Sequence, residues 1–309
     1  MWWKTKLKFK ENVFSLNKDN LNLIPNFFSF KDIKNTLQEN HIFLTKKYGQ
    51  NFLVDKNKIQ QIIKLADLGP GDCVLEIGPG MGALTHQILS VVKHLDVVEI
   101  DKGLVRLLQT FFGSLPNCQI YHEDILKFDF NLLQGEKIKI ISNLPYNIAS
   151  QIFFKIMDIY DKIDSLVVML PEDLANKLEM VPGNKKYGLF TIFFQSFFVI
   201  SEKPIVVSPS LFFPKPKVAS KVLKIFKKEK PNLSFSEASD FIKFLSFIFQ
   251  NRRKKFYSTI LKILKKEKVD FLFTKYKLEE NIRPEDIEVF LFEIFYKEVK
   301  IIKKNFDKV

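Results

Sequence analysis

The sequence predicts an α/β protein: a mostly parallel sheet with helices on both faces, then an all-helical C-terminal part. Three observations carry this. Short apolar runs at Cys73–Ile77 (CVLEI), Asp96–Ile100 (DVVEI), Ile138–Ser142 (IKIIS) and Ser165–Leu170 (SLVVML) alternate with helical periodicity, the rhythm of β-α-β units. A glycine turn, Gly78-Pro79-Gly80-Met81-Gly82, joins the first run to a helix. From about Phe235 the pattern turns helical and Lys-rich.

In chain order, residues 1–27 read as a loosely structured basic arm, and Phe30–Leu44 has near-helical apolar spacing. Lys46–Asp55 is irregular. Lys56–Leu68 is helical and stops at Gly69-Pro70-Gly71. After the first strand and glycine turn come a helix over Ala83–Val92, the second strand, a helix over Asp101–Phe112 and a short strand at Gln119–His122. The Ile138–Ser142 strand leads through Asn143-Leu144-Pro145-Tyr146 into a helix over Ile148–Ile159 and the fifth strand. Further strands are expected near Phe197–Val207 and Lys221–Lys227, around a Pro/Ser stretch at Ser208–Ser220. This divides the chain into an extension and helix (1–44), a sheet domain (45–229) and a small helical domain (230–309).

With 309 residues, 46% hydrophobic and 27% charged, the chain has ample material for a core, which excludes disorder and fibre. Two cysteines, Cys73 and Cys118, give neither a disulfide framework nor a cysteine-rich zinc site, and no metal cluster is visible. The apolar stretch Gly188–Ile200 is broken by Thr191, Gln195 and Ser196 and falls short of the roughly 20 residues a bilayer needs. No leader is convincing either, so the expectation is a cytoplasmic protein without a membrane partner.

The net charge of +13 points to a polyanion. Residues 1–50 are net +5, residues 51–150 net −2 and residues 151–309 net +10. Whatever the middle third binds therefore need not be anionic. The basic residues are nearly all Lys, the arginines being Arg106, Arg252, Arg253 and Arg283; with 33 Phe this suggests an AT-rich genome that inflates the charge.

Glu76-x-Gly78-x-Gly80-x-Gly82 between strand and helix lets a backbone approach a ligand with no Cβ in the way. Alone, the turn fits NAD, FAD, S-adenosylmethionine or no ligand. Glu99 ends the second strand, where an acid can accept both ribose hydroxyls of an adenosine. Asp124 ends the third strand, and can accept from an adenine amine or cap a helix before Ile125. A slightly acidic middle third suits a cationic sulfonium better than a pyrophosphate. Asn143-Leu144-Pro145-Tyr146 follows the fourth strand, at the sheet edge where ligands of such folds sit. The Asn143 amide and the Leu144 carbonyl, stiffened by Pro145, offer two acceptors, and Tyr146 offers an aromatic face. An exocyclic amine on a flat base needs that combination.

These motifs together resemble the ribosomal RNA adenine N6-dimethyltransferases. Gly49-Gln50-Asn51-Phe52-Leu53, Phe212-x-Pro214-x-Pro216-x-Val218-x-Ser220 and Phe249-Gln250-Asn251-Arg252-Arg253-Lys254-Lys255 extend the resemblance over about residues 30–290. It lies nearest the small-subunit branch. It implies a Rossmann-like class I methyltransferase fold, with a mostly parallel seven-stranded sheet and a small helical domain. The implied activity is dimethylation of two adjacent adenines in the 3′-terminal hairpin loop of small-subunit rRNA, during subunit assembly, by a monomer using S-adenosylmethionine. By position, Asn51 and Leu53 would close over the cofactor, Gly78 contact its methionine part, Glu99 its ribose and Asp124 its adenine. Asn143 would touch both cofactor and target amine, and Tyr146 and Phe212 would sandwich the target base. Arg252, Arg253, Lys254 and Lys255 would contact the RNA backbone, and Lys215 and Lys217 would lie near the target strand. None of His41, His86, His94 and His122 is assigned to catalysis.

Two features depart from the family pattern: Pro171-Glu172-Asp173 stands where Gln-Lys-Glu is usual, and residues 1–27 extend the start. Competing readings are the large-subunit enzyme of the macrolide-resistance type, a non-catalytic ribosome-assembly RNA binder, and a nicotinamide oxidoreductase. The last leaves Asn143–Tyr146 without a role.

Overall fold

The computed structural model describes residues 24–45, 48–145, 147–250 and 252–306. Most of the expected N-terminal arm, and Tyr146, lie outside them. Elements follow as α1 Phe30–Glu39, β1 Phe52–Leu53, α2 Lys56–Ala66, β2 Cys73–Ile77, α3 Ala83–Leu89, β3 His94–Glu99, α4 Lys102–Phe112 and β4 Cys118–His122. Next are β5 Ile138–Asn143, α5 Ala149–Lys155, β6 Ile163–Pro171, α6 Glu172–Leu178, α7 Leu189–Phe197, β7 Phe198–Ile200, β8 Ile205–Val207, β9 Phe212–Phe213 and β10 Ser220–Lys227. The chain ends in α8 Ala238–Gln250, α9 Phe256–Ile260, α10 Lys266–Lys275 and α11 Val289–Phe306.

The main sheet runs β4-β3-β2-β5-β6-β10, with the first five strands parallel and β10 antiparallel to β6. Both β7 and β8 pair with β10, at its Ile225–Lys227 and Ser220–Val222 ends. Eight strands thus fill seven positions, two short ones sharing the last. A second, two-stranded sheet joins β1 to β9 antiparallel, with Phe52 opposite Phe213 and Leu53 opposite Phe212.

The central strands β2, β5 and β6 are mostly apolar because both of their faces are covered. Successive residues serve opposite cores. Val74, Ile141, Val167 and Val222 face one core, under α1 to α4. Leu75, Ile140, Val168 and Leu223 face the other, under α5, α7 and the C-terminal helices. The second core runs without a break from the sheet to Phe241, Leu245, Phe256, Phe292 and Phe295.

Capping sets the helix starts. Ser29, Asp55 and Asp101 side chains accept from the backbone N–H groups of Asp32, Lys58 and Gly103. α1 stops at Glu39, short of the expected Leu44, because the Asn40 amide bonds back to the Thr36 carbonyl and His41 turns to φ +52. The helix expected over Ile148–Ile159 tightens into 3₁₀ turns from Ile156.

The largest departure is α7, a helix where only an interrupted apolar stretch was legible. Sandwiched between the sheet and the C-terminal helices, it is apolar nearly all round and shows no amphipathic stripe. Its polar interruptions have structural partners. Thr191 Oγ1 donates to the Lys177 carbonyl at 2.7 Å, and Gln195 Nε2 to the carbonyls of Leu178 and Met180 at 2.8 and 2.9 Å. These carbonyls lie at and just beyond the end of α6. The Pro171-Glu172-Asp173 departure is also locally paired: Glu172 with Lys221 and Asp173 with Lys186. No helix among the described residues is long and apolar enough to cross a membrane.

Gln195→Leu, though it makes α7 more apolar, is expected to destabilise the protein by about 1–3 kcal/mol by stranding two partly buried carbonyls. Urea unfolding measures it; an unchanged or higher midpoint would contradict the capping role.

Candidate active site

A cleft opens at the carboxyl ends of β2, β3, β4, β5 and β6, where loops of a parallel sheet converge. Asn51, Leu53, Gly78, Glu99, Asp124, Asn143, Leu144 and Pro145 all line it. Asn51 and Asn143, 92 positions apart, are thus gathered into one site.

The glycine turn works by close approach. Gly80 has φ +62, and a Cβ there would stand 2.8 Å from the Phe52 ring. The missing side chain admits Phe52, which brings the 48–53 segment over the cleft. Gly82, with φ +94, does the same on the helix side, where a Cβ would meet the Phe112 ring at 2.6 Å.

Three further bonds hold that segment. Asn143 Nδ2 donates to the Asn51 carbonyl at 2.8 Å. Gln50 Nε2 donates to Asp101 Oδ2 at 2.8 Å, while Gln50 Oε1 accepts from the Thr45 N–H. Asp101 caps α4 through its other oxygen, and its N–H donates to Glu99 Oε1 at 2.9 Å. Gln50 and Asp101 are thus positioning residues that sequence reading left unassigned. Gln50 sat visibly inside the Gly49–Leu53 motif, and Asp101 stood only as the first residue of the expected Asp101–Phe112 helix.

With its amide nitrogen engaged, Asn143 keeps a buried Oδ1 that has no hydrogen-bond partner. Glu76 is equally exposed to cost: Oε2 accepts from Thr85 Oγ1 at 2.7 Å, and buried Oε1 has no partner. Burial pushes the Glu76 carboxyl up to about 8, and the neighbouring Glu99 adds to the shift. Burial likewise pushes Glu99 up to about 7. Neither acid forms an ion pair with a cation among the described residues. Such unpaired acceptors around a cleft mark a site made for a donor-rich or cationic ligand.

Asp124 caps a turn and also lies at the cleft. Its Oδ1 accepts from the Leu126 N–H at 3.0 Å. Phe212 does not line the cleft: it is 2% exposed, enclosed in the core beside Leu53, its cross-strand partner in the β1–β9 pair. Lys215 and Lys217 are exposed on the loop after β9. The four histidines do not line the cleft; His86 packs between Phe27 and Phe112, and His94 pairs with Asp96 at the start of β3. No group of three or more metal-ligating side chains occurs among the described residues.

Arg253, Lys254 and Lys255 are exposed at the turn after α8. Arg252 is not equivalent to them. It is half-buried, with Nε donating to Glu285 and Nη2 to the Lys185 carbonyl.

Comparison with known proteins places the chain in a family. The family model for ribosomal RNA adenine dimethylase matches residues 43–301. A ribosomal RNA small subunit methyltransferase A from Malacoplasma penetrans is 37% identical over 83% of this chain and 92% of its own length. The protein of that name from Francisella tularensis subsp. novicida is 36% identical over 79% of this chain and 93% of its own. Among solved structures, a dimethyladenosine transferase from Plasmodium falciparum superposes with TM-score 0.66 at 20% identity, over 82% of this chain and 97% of that one. The 23S rRNA methyltransferase ErmE superposes with TM-score 0.59 at 20% identity, over 80% and 99%. Both carry the class I methyltransferase fold seen here. With a family model spanning the sheet, the cleft and the C-terminal helices, this chain belongs to the ribosomal RNA adenine dimethylase family.

Proposed function

We propose that this chain transfers methyl groups from S-adenosylmethionine to N6 of two adjacent adenines in the 3′-terminal hairpin loop of small-subunit rRNA. The product is N6,N6-dimethyladenosine, formed in the cytoplasm by a monomer acting on the assembling subunit. Family membership and the small-subunit relatives support the reaction class. The observation that carries the site is the buried, partnerless Oδ1 of Asn143 at the end of β5, in one cleft with Glu99 and Asp124.

The cleft fits the cofactor's chemistry. Two buried carboxyls without cationic partners, a turn stripped of Cβ atoms and a closing N-terminal segment suit a ligand bearing a positive charge, a ribose and a flat base. When bound, S-adenosylmethionine supplies an electrophilic methyl group on a sulfonium. Gly78 and Glu76 would face its methionine part, Glu99 accept from its ribose, Asp124 accept from its adenine, and Asn51 and Leu53 cover it. Asn143 Oδ1 and the Leu144 carbonyl would accept the two N–H groups of the target amine. That favours a pyramidal nitrogen, whose lone pair is otherwise delocalised into the ring. The Asn51 carbonyl fixes which end of the Asn143 amide faces that amine. The target base is assigned to stack on Tyr146, with Phe212 backing Leu53. The amine turns acidic on methylation and can release its proton to solvent, so most of the rate comes from positioning and water exclusion. The 230–309 region, with Arg253, Lys254 and Lys255 exposed, is assigned to the RNA backbone.

Methylation of undermethylated small subunits, with product mapping, tests the reading; dimethyladenine appearing only in large-subunit rRNA would overturn it. Asn143→Ala is expected to lower methyl transfer by roughly a hundredfold or more while RNA binding persists. Gly80→Ala should drive Phe52 off the turn and weaken cofactor binding by about tenfold, read by calorimetric titration; unchanged affinity would count against the covering role of the 48–53 segment.

The carboxyls also predict a pH dependence. Their folded-state values, about 8 for Glu76 and about 7 for Glu99, lie above the ordinary 4.5. The stability they contribute is complete below that ordinary value and is lost as pH rises through about 7 to 8. The melting midpoint of the protein without cofactor should fall as pH rises from the ordinary value of 4.5 to about 8, and Glu76→Gln should flatten the fall. A profile that Glu76→Gln leaves unchanged would remove Glu76 as its source.

A further inference from the structure

Arg252 opens the Arg252-Arg253-Lys254-Lys255 run, yet its guanidinium is turned to protein partners. Nε reaches Glu285 and Nη2 the Lys185 carbonyl, so one side chain holds two groups at once. The planar guanidinium fork fixes the directions of both bonds, which an ammonium on a flexible stem does not. The partners come from distant stretches. Lys185 lies in the loop between α6 and α7, and Glu285 in the Pro284–Asp286 turn before α11. The same stretches are stitched twice more. Gly183 N–H donates to the Glu285 carbonyl at 2.9 Å, and the Tyr187 hydroxyl to the Ile287 carbonyl at 2.8 Å. Tyr187 is fully enclosed, so the base of the loop is anchored in the core.

What the loop presents is basic. Lys185 and Lys186 are both exposed. Lys186 meets Asp173 at 3.1 Å, but both groups are more than half exposed, and such a pair yields readily to a phosphate. Lys185, Arg253, Lys254 and Lys255 pair with no carboxylate among the described residues. The Arg252 contact to Lys185 brings these two basic stretches side by side.

We propose that Arg252 is a positioning residue, clamped between Glu285 and the Lys185 carbonyl, that sets the α6–α7 loop against the C-terminal helices so that Lys185, Lys186, Arg253, Lys254 and Lys255 form one phosphate-binding face for rRNA. This rests on the rRNA reading above and moves Arg252 from contact to support within it. A carboxylate beside an RNA surface repels phosphate, so a Glu285 that served no clamp would weaken binding, and its removal would tighten it. The clamp reverses that sign.

The test uses the full chain and undermethylated small ribosomal subunits. Glu285→Gln and Arg252→Lys are each expected to weaken binding by about three- to tenfold, and to speed amide hydrogen exchange across residues 183–187. Lys185→Ala combined with Lys186→Ala should leave that exchange unchanged but lower the slope of log affinity against log salt by roughly 1.5. Glu285→Gln binding as tightly as the parent or more so, unaltered exchange in both clamp variants, or an unchanged salt slope in the double lysine variant would each overturn the proposal. If the parent protein itself binds no small subunit, the rRNA reading fails instead, and the exchange measurement still decides whether the clamp exists.

Discussion

The approach of the Phe52 ring to the bare backbone of Gly80 is the constraint on which the cleft depends. A Cβ at Gly80 would stand 2.8 Å from that ring, so only glycine lets the N-terminal segment lie down on the strand-to-helix turn. Once it lies there, β1 pairs with β9, Gln50 reaches Asp101, and the Asn51 carbonyl takes the Asn143 amide N–H. That last bond leaves Asn143 with a single unsatisfied function, an acceptor. A packing contact at one side of the cleft thus sets the polarity of the group at the other.

The two ends of the sheet treat buried carboxylates in opposite ways. Near the start of β3, Asp96 is satisfied by His94, the Tyr121 hydroxyl and the Gln134 N–H. Near the carboxyl ends, Glu76 and the Asn143 amide each keep an orphan oxygen, and Glu99 is held well above its ordinary range by burial. Unsatisfied buried acceptors cost free energy. They persist here because neighbouring strands, paired on both sides and packed on two cores, leave the side chains nowhere else to go. The rigid sheet holds a ligand site in a state that only a suitable donor relieves.

Legibility followed burial geometry. Cys73–Ile77 was read to its ends, because a strand covered on both faces is uniformly apolar and bounded by a turn. α7 escaped for the mirror reason: a helix enclosed on all sides loses the stripe that identifies helices, and its Thr191 and Gln195 look like interruptions until the end of α6 is seen beside them. The β1–β9 pair was invisible, since two residues per strand carry no periodicity. Within the site, Glu99, Asp124 and Asn143 were legible because each ends or closely follows a strand, and parallel strands deliver their ends to one edge.

The amino-acid sequence by itself determined the α/β rhythm, the glycine turn, the acids at strand ends and the Asn143–Tyr146 motif, and with them the family. All of these are local patterns, written in residues that touch their chain neighbours. Tertiary structure alone decided which end of the Asn143 amide faces the cleft, that Phe212 is enclosed beside Leu53, and that Arg252 is held by Glu285 and Lys185 instead of standing with its exposed neighbours. Each of those outcomes is a choice of partner made across 33 to 159 positions of chain. No local pattern records such a choice, because only the folded packing brings the partners within reach.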